Sequence, residues 1–152
     1  MLSQKHKDLQ FDILVPDWAR KMHLYALEGI KNIRWHERLQ EAELLKLYQE
    51  SRLLLMPMED SGVNTAVVEA LACGLPIVTT DVGGIRDYGG GSVYPVVANN
   101  DDDAMIALVE EYLNNEDRRN EVGEKCRAFA EQNLSWPLVA QKHIEAYKDL
   151  SV

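Results

Sequence analysis

Apolar residues along the chain fall into short continuous runs, alternating with longer stretches in which they recur every three or four positions. FDILV (11–15) reads as a strand ended by Pro16. WARKMHLYALEG (18–29) has helical spacing and stops at Gly29, a residue favoured just past a helix end. NIRWH (32–36) predicts a second strand, and EAELLKLYQESR (41–52) a second helix. LLLMP (53–57) is apolar throughout and closed by proline, the pattern of a strand covered on both faces. A loop and short helix follow over 59–73, closed by Gly74 and Pro76. PIVTT (76–80) and GSVYPVV (91–97) predict two more strands, the last weakened by Pro95. Helical patterns over 102–114, 116–132 and 136–149 complete the chain.

Strand alternating with helix at this spacing implies parallel strands joined by crossover helices. The expected class is α/β: a Rossmann-like, doubly wound parallel sheet of about five strands with helices on both faces. In such sheets ligands bind beyond the carboxyl ends of the strands. That rule selects the loops after Val15, Met56 and Thr80. The 152 residues carry no internal repeat or flexible linker and predict a single domain. The chain enters almost directly on a strand, and five strands is one fewer than many such units have. A fragment of a larger protein is therefore expected.

Composition narrows the class further. With 46% hydrophobic and 27% charged residues, the chain has the balance of a soluble globular protein. It contains neither a run long enough to span a bilayer nor the apolar core of a signal peptide, so a cytoplasmic location is expected. Net charge is −9, and it is uneven: residues 1–52 hold nine Lys/Arg against eight Asp/Glu, the remainder seven against seventeen. Nucleic acid is a poor partner for so acidic a surface. Cys73 and Cys126 share no metal-type spacing, and no His, Asp or Glu pattern suggests a metal site.

The segment EDSGVNTAVVEALACGLPIVTTDVGG (59–84) holds the candidate chemistry. Its helix is almost wholly apolar, which predicts burial on every side. Yet it carries Glu69, with no Lys or Arg three or four residues away. A buried, unpaired carboxylate is costly, so a ligand is one explanation and a distant protein partner the other. Two carboxylate oxygens match a vicinal diol such as the ribose 2′/3′ pair. Ahead of it, Gly62 allows close backbone approach, and Ser61 or Asn64 suits the N-cap. The helix N-terminus there favours an anion such as phosphate. TTDVGGIRDYGGG (79–91) repeats the theme with hydroxyls, a carboxylate and glycines at the next strand end.

LLLMPMEDSGVNTAVVEALACGLPIVTTDVGGIRD resembles the signature of group 1 glycosyltransferases, in the carboxyl-terminal domain of the GT-B fold. NIRWHERLQEAELLKLYQESRLLLMP is similar to the segment before that signature, and NNEDRRNEVGEKCRAFAEQNLSWPLVAQKHIEAY to the closing helices. The resemblance thus covers nearly the whole chain and implies the donor-binding half of a retaining sugar transferase, using a nucleoside-diphosphate sugar such as a UDP or GDP sugar. In a Glu-seven residues-Glu motif the second Glu grips the ribose diol, and that position is Glu69. The first falls on Ser61, a departure that Glu59 or Asp60 could offset if the loop shifts. The resemblance therefore makes Glu59, Asp60 and Ser61 the catalytic candidates, and Gly62, Val63, Asn64, Thr65 and Glu69 the donor-binding ones. Arg38 and Leu39 are candidates for contacts to the base, and Thr80, Asp81, Gly83 and Gly84 for contacts from the second loop. Plainer roles stand beside these: Asn64 as a helix cap, Asp81 as a turn cap, Arg38 as a solvated side chain.

The resemblance requires no metal or other cofactor. It further implies an amino-terminal acceptor domain, and an Arg and a Lys for the diphosphate, without counterparts in this sequence. A lipid or polysaccharide acceptor, reached through that domain at the inner face of a membrane, is a further expectation. Two alternatives remain at this point: a non-catalytic GT-B-like interaction module, for which Ser61 speaks, and a GT-B-shaped sugar epimerase.

Overall fold

The computed structural model describes residues 1–60, 62 and 64–150, in two compact units, Met1–Lys46 and Leu47–Val152. In the first, α1 (Leu2–Lys5) precedes β1 (Phe11–Leu14), α2 (Asp17–His23), a 3-10 turn (Tyr25–Leu27) and β2 (Ile33–His36). β1 and β2 pair in parallel, from Phe11 opposite Ile33 to Leu14 opposite His36. Asn32 fixes the entry to β2, its side-chain amide donating to the carbonyls of Ser3, His6 and Leu9 at 2.9, 3.0 and 3.0 Å. α3 (Glu41–Glu50) starts in this unit, where the Gln40 N–H donates to the Glu43 carboxylate at 2.9 Å, one half of a capping box.

The second unit holds β3 (Leu54–Met56), α4 (Thr65–Ala72), β4 (Ile77–Thr79), a 3-10 turn (Ile85–Tyr88), α5 (Asp102–Asn114), α6 (Glu116–Asn133) and α7 (Trp136–Asp149). β3 and β4 are parallel, Leu54 opposite Ile77 and Met56 opposite Thr79, joined by α4 as a β-α-β crossover. Asparagine and aspartate caps set the helix starts. The side-chain oxygens of Asn64, Asp101 and Asn115 accept from the backbone N–H groups of Ala66, Ala104 and Arg118. The core lies under Val67, Ala70 and Leu71 of α4, all of β4, Met105, Val109 and Tyr112 of α5, and Val122, Cys126 and Ala130 of α6.

The class is α/β, as the alternation predicted, with four strands among the described residues where about five were expected. Residues 91–97 make only isolated bridges, Gly90 to Tyr94 and Thr80 to Val97, since Pro95 lacks the N–H a ladder would use there. The sequence also hid α1 and both 3-10 turns, which are too short for a periodicity to register. Trp18 and Trp136 stand 62% and 83% exposed.

Burial in the second unit has a consequence at high pH. It pushes the Cys126 thiol up to about 12 and the Tyr112 phenol up to about 12, and raises Tyr94. The unfolded chain releases these protons from about pH 8.5 for Cys and 10 for Tyr, while the folded chain still holds them. Their contribution is therefore complete below about pH 8.5 and is lost as pH rises towards about 12. The urea midpoint should be level from pH 7 to 8.5 and fall by pH 10.5, less steeply in Cys126→Ala. A midpoint that stayed level throughout would contradict this.

Candidate functional site

Loops at the carboxyl ends of β3 and β4 meet in the second unit. Two threonines latch them. The Thr79 hydroxyl donates to the Met56 carbonyl at 2.9 Å. The Thr80 hydroxyl accepts from the Met58 N–H at 3.0 Å and donates to the Met58 carbonyl at 2.5 Å. Asn99 adds a bond from its amide to the Glu59 carbonyl at 3.4 Å. Further on, the backbones run close together: a Cβ placed on Gly84 would lie 3.9 Å from the Gly62 carbonyl oxygen. Gly83 has φ +55°, a conformation that favours glycine.

Asn64 caps α4, and its amide points at the sulfurs of Met56 and Met58, at 3.2 and 3.4 Å. The plainer of its two expected roles therefore accounts for its side chain. Thr80 is buried and its hydroxyl is committed to the latch, which shapes the β3 loop from behind. The Asp81 carboxylate accepts two bonds from the Arg86 guanidinium, at 2.9 and 2.5 Å. Glu59, Asp60, Gly62 and Thr65 are exposed around the loop and first helical turn. Ser61 and Val63 lie outside the described residues. Arg38 and Leu39 belong to the first unit, in the segment after β2.

Glu69 corrects the premise that led to it. α4 is not buried on every side: Val67, Ala70 and Leu71 are covered, whereas Thr65 and Glu69, four apart on one face, are exposed. Eight residues containing three alanines leave a strip that no large apolar side chain closes. The carboxylate is not alone either. The Tyr48 hydroxyl donates to Glu69 Oε2 at 2.9 Å. Tyr48 sits on α3, twenty-one residues away, and a search for helical neighbours at three and four positions passes over it. A signal was present: an aromatic on the covered side of α3 with a polar tip needs a partner for that tip. Desolvation raises the Tyr48 phenol above its usual value, and the Glu69 hydrogen bond and charge raise it further. It stays a protonated donor at neutral pH.

The face bearing Glu69 is open surface. A hollow of about 210 Å³, lined in part by Tyr48, Arg52, Cys73 and Arg119, lies towards the opposite, carboxyl-terminal end of α4. Taken together, the site offers an exposed face of carboxylate and hydroxyl, a helix amino terminus and a glycine-bearing loop held firmly to the strand ends. Such an arrangement can bind a polyol and an anion side by side.

Comparison with known proteins gives the family and the fold. The family described as glycosyl transferases group 1 matches residues 16–129. D-inositol 3-phosphate glycosyltransferase of Gordonia bronchialis is 30% identical over 107 residues, 70% of this chain and 23% of that protein. The GDP-mannose-dependent monoacylated alpha-(1-6)-phosphatidylinositol monomannoside mannosyltransferase of Corynebacterium glutamicum is 24% identical over 124 residues, 77% of this chain and 32% of that one. The chain thus spans a third or less of these two relatives. Among solved structures, sucrose-phosphate synthase from Thermosynechococcus elongatus superposes with a TM-score of 0.78 at 17% identity, over 93% of this chain and 38% of that one. HepE of Anabaena, in complex with UDP, gives 0.79 at 13%, over 97% and 43%. At those identities the structures speak to the fold alone, but the family match covers most of the sequence. The chain belongs to the group 1 glycosyltransferases.

Proposed function

We propose that this chain binds the donor of a glycosyltransferase, which moves a sugar from a nucleoside diphosphate to an acceptor. One observation carries the reading: Glu69 stands exposed one turn into α4, beside a loop latched to the strand ends. With one oxygen bonded by Tyr48, that carboxylate keeps acceptor capacity for both hydroxyls of a ribose, while the N–H groups at the start of α4 face the phosphates. Transfer then rests on holding the donor in position and on stabilising the departing diphosphate. Backbone N–H groups of this chain contribute to that, together with an Arg and a Lys supplied by the rest of the protein. The proposal needs no metal. Retention at the sugar carbon, a separate acceptor domain and a lipid or polysaccharide acceptor at the membrane surface are carried over from the family resemblance, and a cytoplasmic setting is proposed beside them.

The test is titration of the 152-residue chain with UDP, GDP and ADP, by calorimetry or ligand-observed NMR. One of them should saturate, with a dissociation constant of roughly 0.1–1 mM, because only part of the donor cleft is present. A folded chain that saturates with none of the three ends the proposal and favours an interaction module.

A further inference from the structure

We infer that Tyr48 is the positioning residue of the donor site: its hydroxyl holds one oxygen of Glu69 so that the other faces the ribose diol. The inference rests on the function proposed above and deepens it. Glu69 is on an exposed helix face, and of the described residues only Tyr48 is seen to bond its carboxylate. A glutamate in such a place turns about three side-chain torsions, and each ligand bound must first halt them. Tyr48 has two torsions, is half-buried, and is anchored on α3, which does not belong to the loop or helix of the site. Its bond to Oε2, 2.9 Å long, fixes the plane of the carboxylate from one edge.

An ionised carboxylate only accepts, through two oxygens with about two lone pairs each. With Oε2 engaged from the α3 side, Oε1 keeps its full capacity, and two vicinal hydroxyls can share the free edge. Tyr48 is suited to this because its single proton is spent on Oε2, which leaves the Oε1 edge to the ligand. A phenol is protonated across the physiological range to begin with, and burial, ahead of the Glu69 bond and charge, raises it further, so the arrangement persists there. A lysine in the same place would neutralise the carboxylate. The phenol orients it and leaves its charge in place.

The experiment compares wild type with Tyr48→Phe, using whichever nucleoside diphosphate the wild type prefers and its 2′-deoxy counterpart. Phenylalanine keeps the ring and its packing, so the melting temperature should hold within about 2 °C. Affinity for the ribonucleotide should fall about 5- to 10-fold, affinity for the 2′-deoxynucleotide much less. On a Glu69→Gln background the Tyr48→Phe change should add little, because the two residues act as a unit. Wild-type affinity in Tyr48→Phe, or equal weakening of both nucleotides, overturns the inference and leaves the proposed function standing. A wild type that binds no nucleotide overturns both.

Discussion

Glu69→Ala is expected to weaken binding of the preferred nucleoside diphosphate about 30-fold while leaving the fold intact. The size follows from what is lost. Hydrogen bonds to a charged group are worth about 1.5–3 kcal/mol each, but this carboxylate is exposed, and water competes for it. About 2 kcal/mol for the pair of diol bonds is the reasonable total, which corresponds to roughly 30-fold in affinity. Stability should move by no more than about 1 kcal/mol: the variant loses the Tyr48 hydrogen bond, but Glu69 is exposed and alanine is the best helix former. That separation makes the experiment decisive. If Glu69 were a structural acid, its removal would lower the melting temperature and leave affinity unmoved. Glu69→Gln should fall between the two, because the amide keeps one acceptor and loses the charge. An alanine variant that binds the nucleotide as well as wild type would remove Glu69 from the site.

Much of this was legible in the residues themselves, and the limits have physical causes. The four strands and the six longer helices fall within a few residues of their predicted spans, except that the 18–29 pattern divides into α2 and a 3-10 turn. Those elements carry clear hydrophobic periods and end on Pro, Gly or a capping side chain. Asn64 was one of two candidate caps for α4, and its oxygen takes that role. The failure on α4 itself came from treating composition as burial. Alanine is apolar but too small to require cover, so an alanine-rich helix can leave one face in water. Thr80 was ambiguous for another reason. A hydroxyl at a strand end can meet a ligand or tie down the neighbouring loop, and only its distance to Met58 separates the two. The Tyr48–Glu69 bond joins two different helices. Nothing in the local spacing of either residue encodes that meeting, which depends on how the β-α-β unit folds.

Gly123→Ala is the case where local preference and packing give opposite signs, and packing should win. Gly123 is buried in the interior of α6, where exchange for alanine would normally stabilise by about 1 kcal/mol. Here a Cβ would run into the carbonyl oxygen of Gly74 and stand 3.7 Å from the Pro76 ring. That carbonyl cannot swing aside cheaply. Gly74 closes α4 at φ +68°, its N–H bonds the Leu71 carbonyl at 3.0 Å, and the next N–H, of Leu75, bonds Ala70 at 2.9 Å. Two residues on, the Pro76 carbonyl accepts from Leu54 at 2.8 Å, at the start of the β3–β4 ladder. Room for one methyl must therefore come from moving α6 off α4, which loosens the contacts of Val122 and Cys126 with the core. Overpacking of this kind costs about 1–3 kcal/mol. After the helical gain is offset, about 1–2 kcal/mol of the cost is left, and the melting temperature should still drop by roughly 2–8 °C, with a smaller loss of nucleotide affinity because α4 carries Glu69. Glu124→Ala, one residue on and exposed, is the control: it should leave the melting temperature within about 2 °C. A rise in melting temperature for Gly123→Ala would mean that helical preference decides here, and that α4 and α6 meet less closely than the Gly74 carbonyl implies.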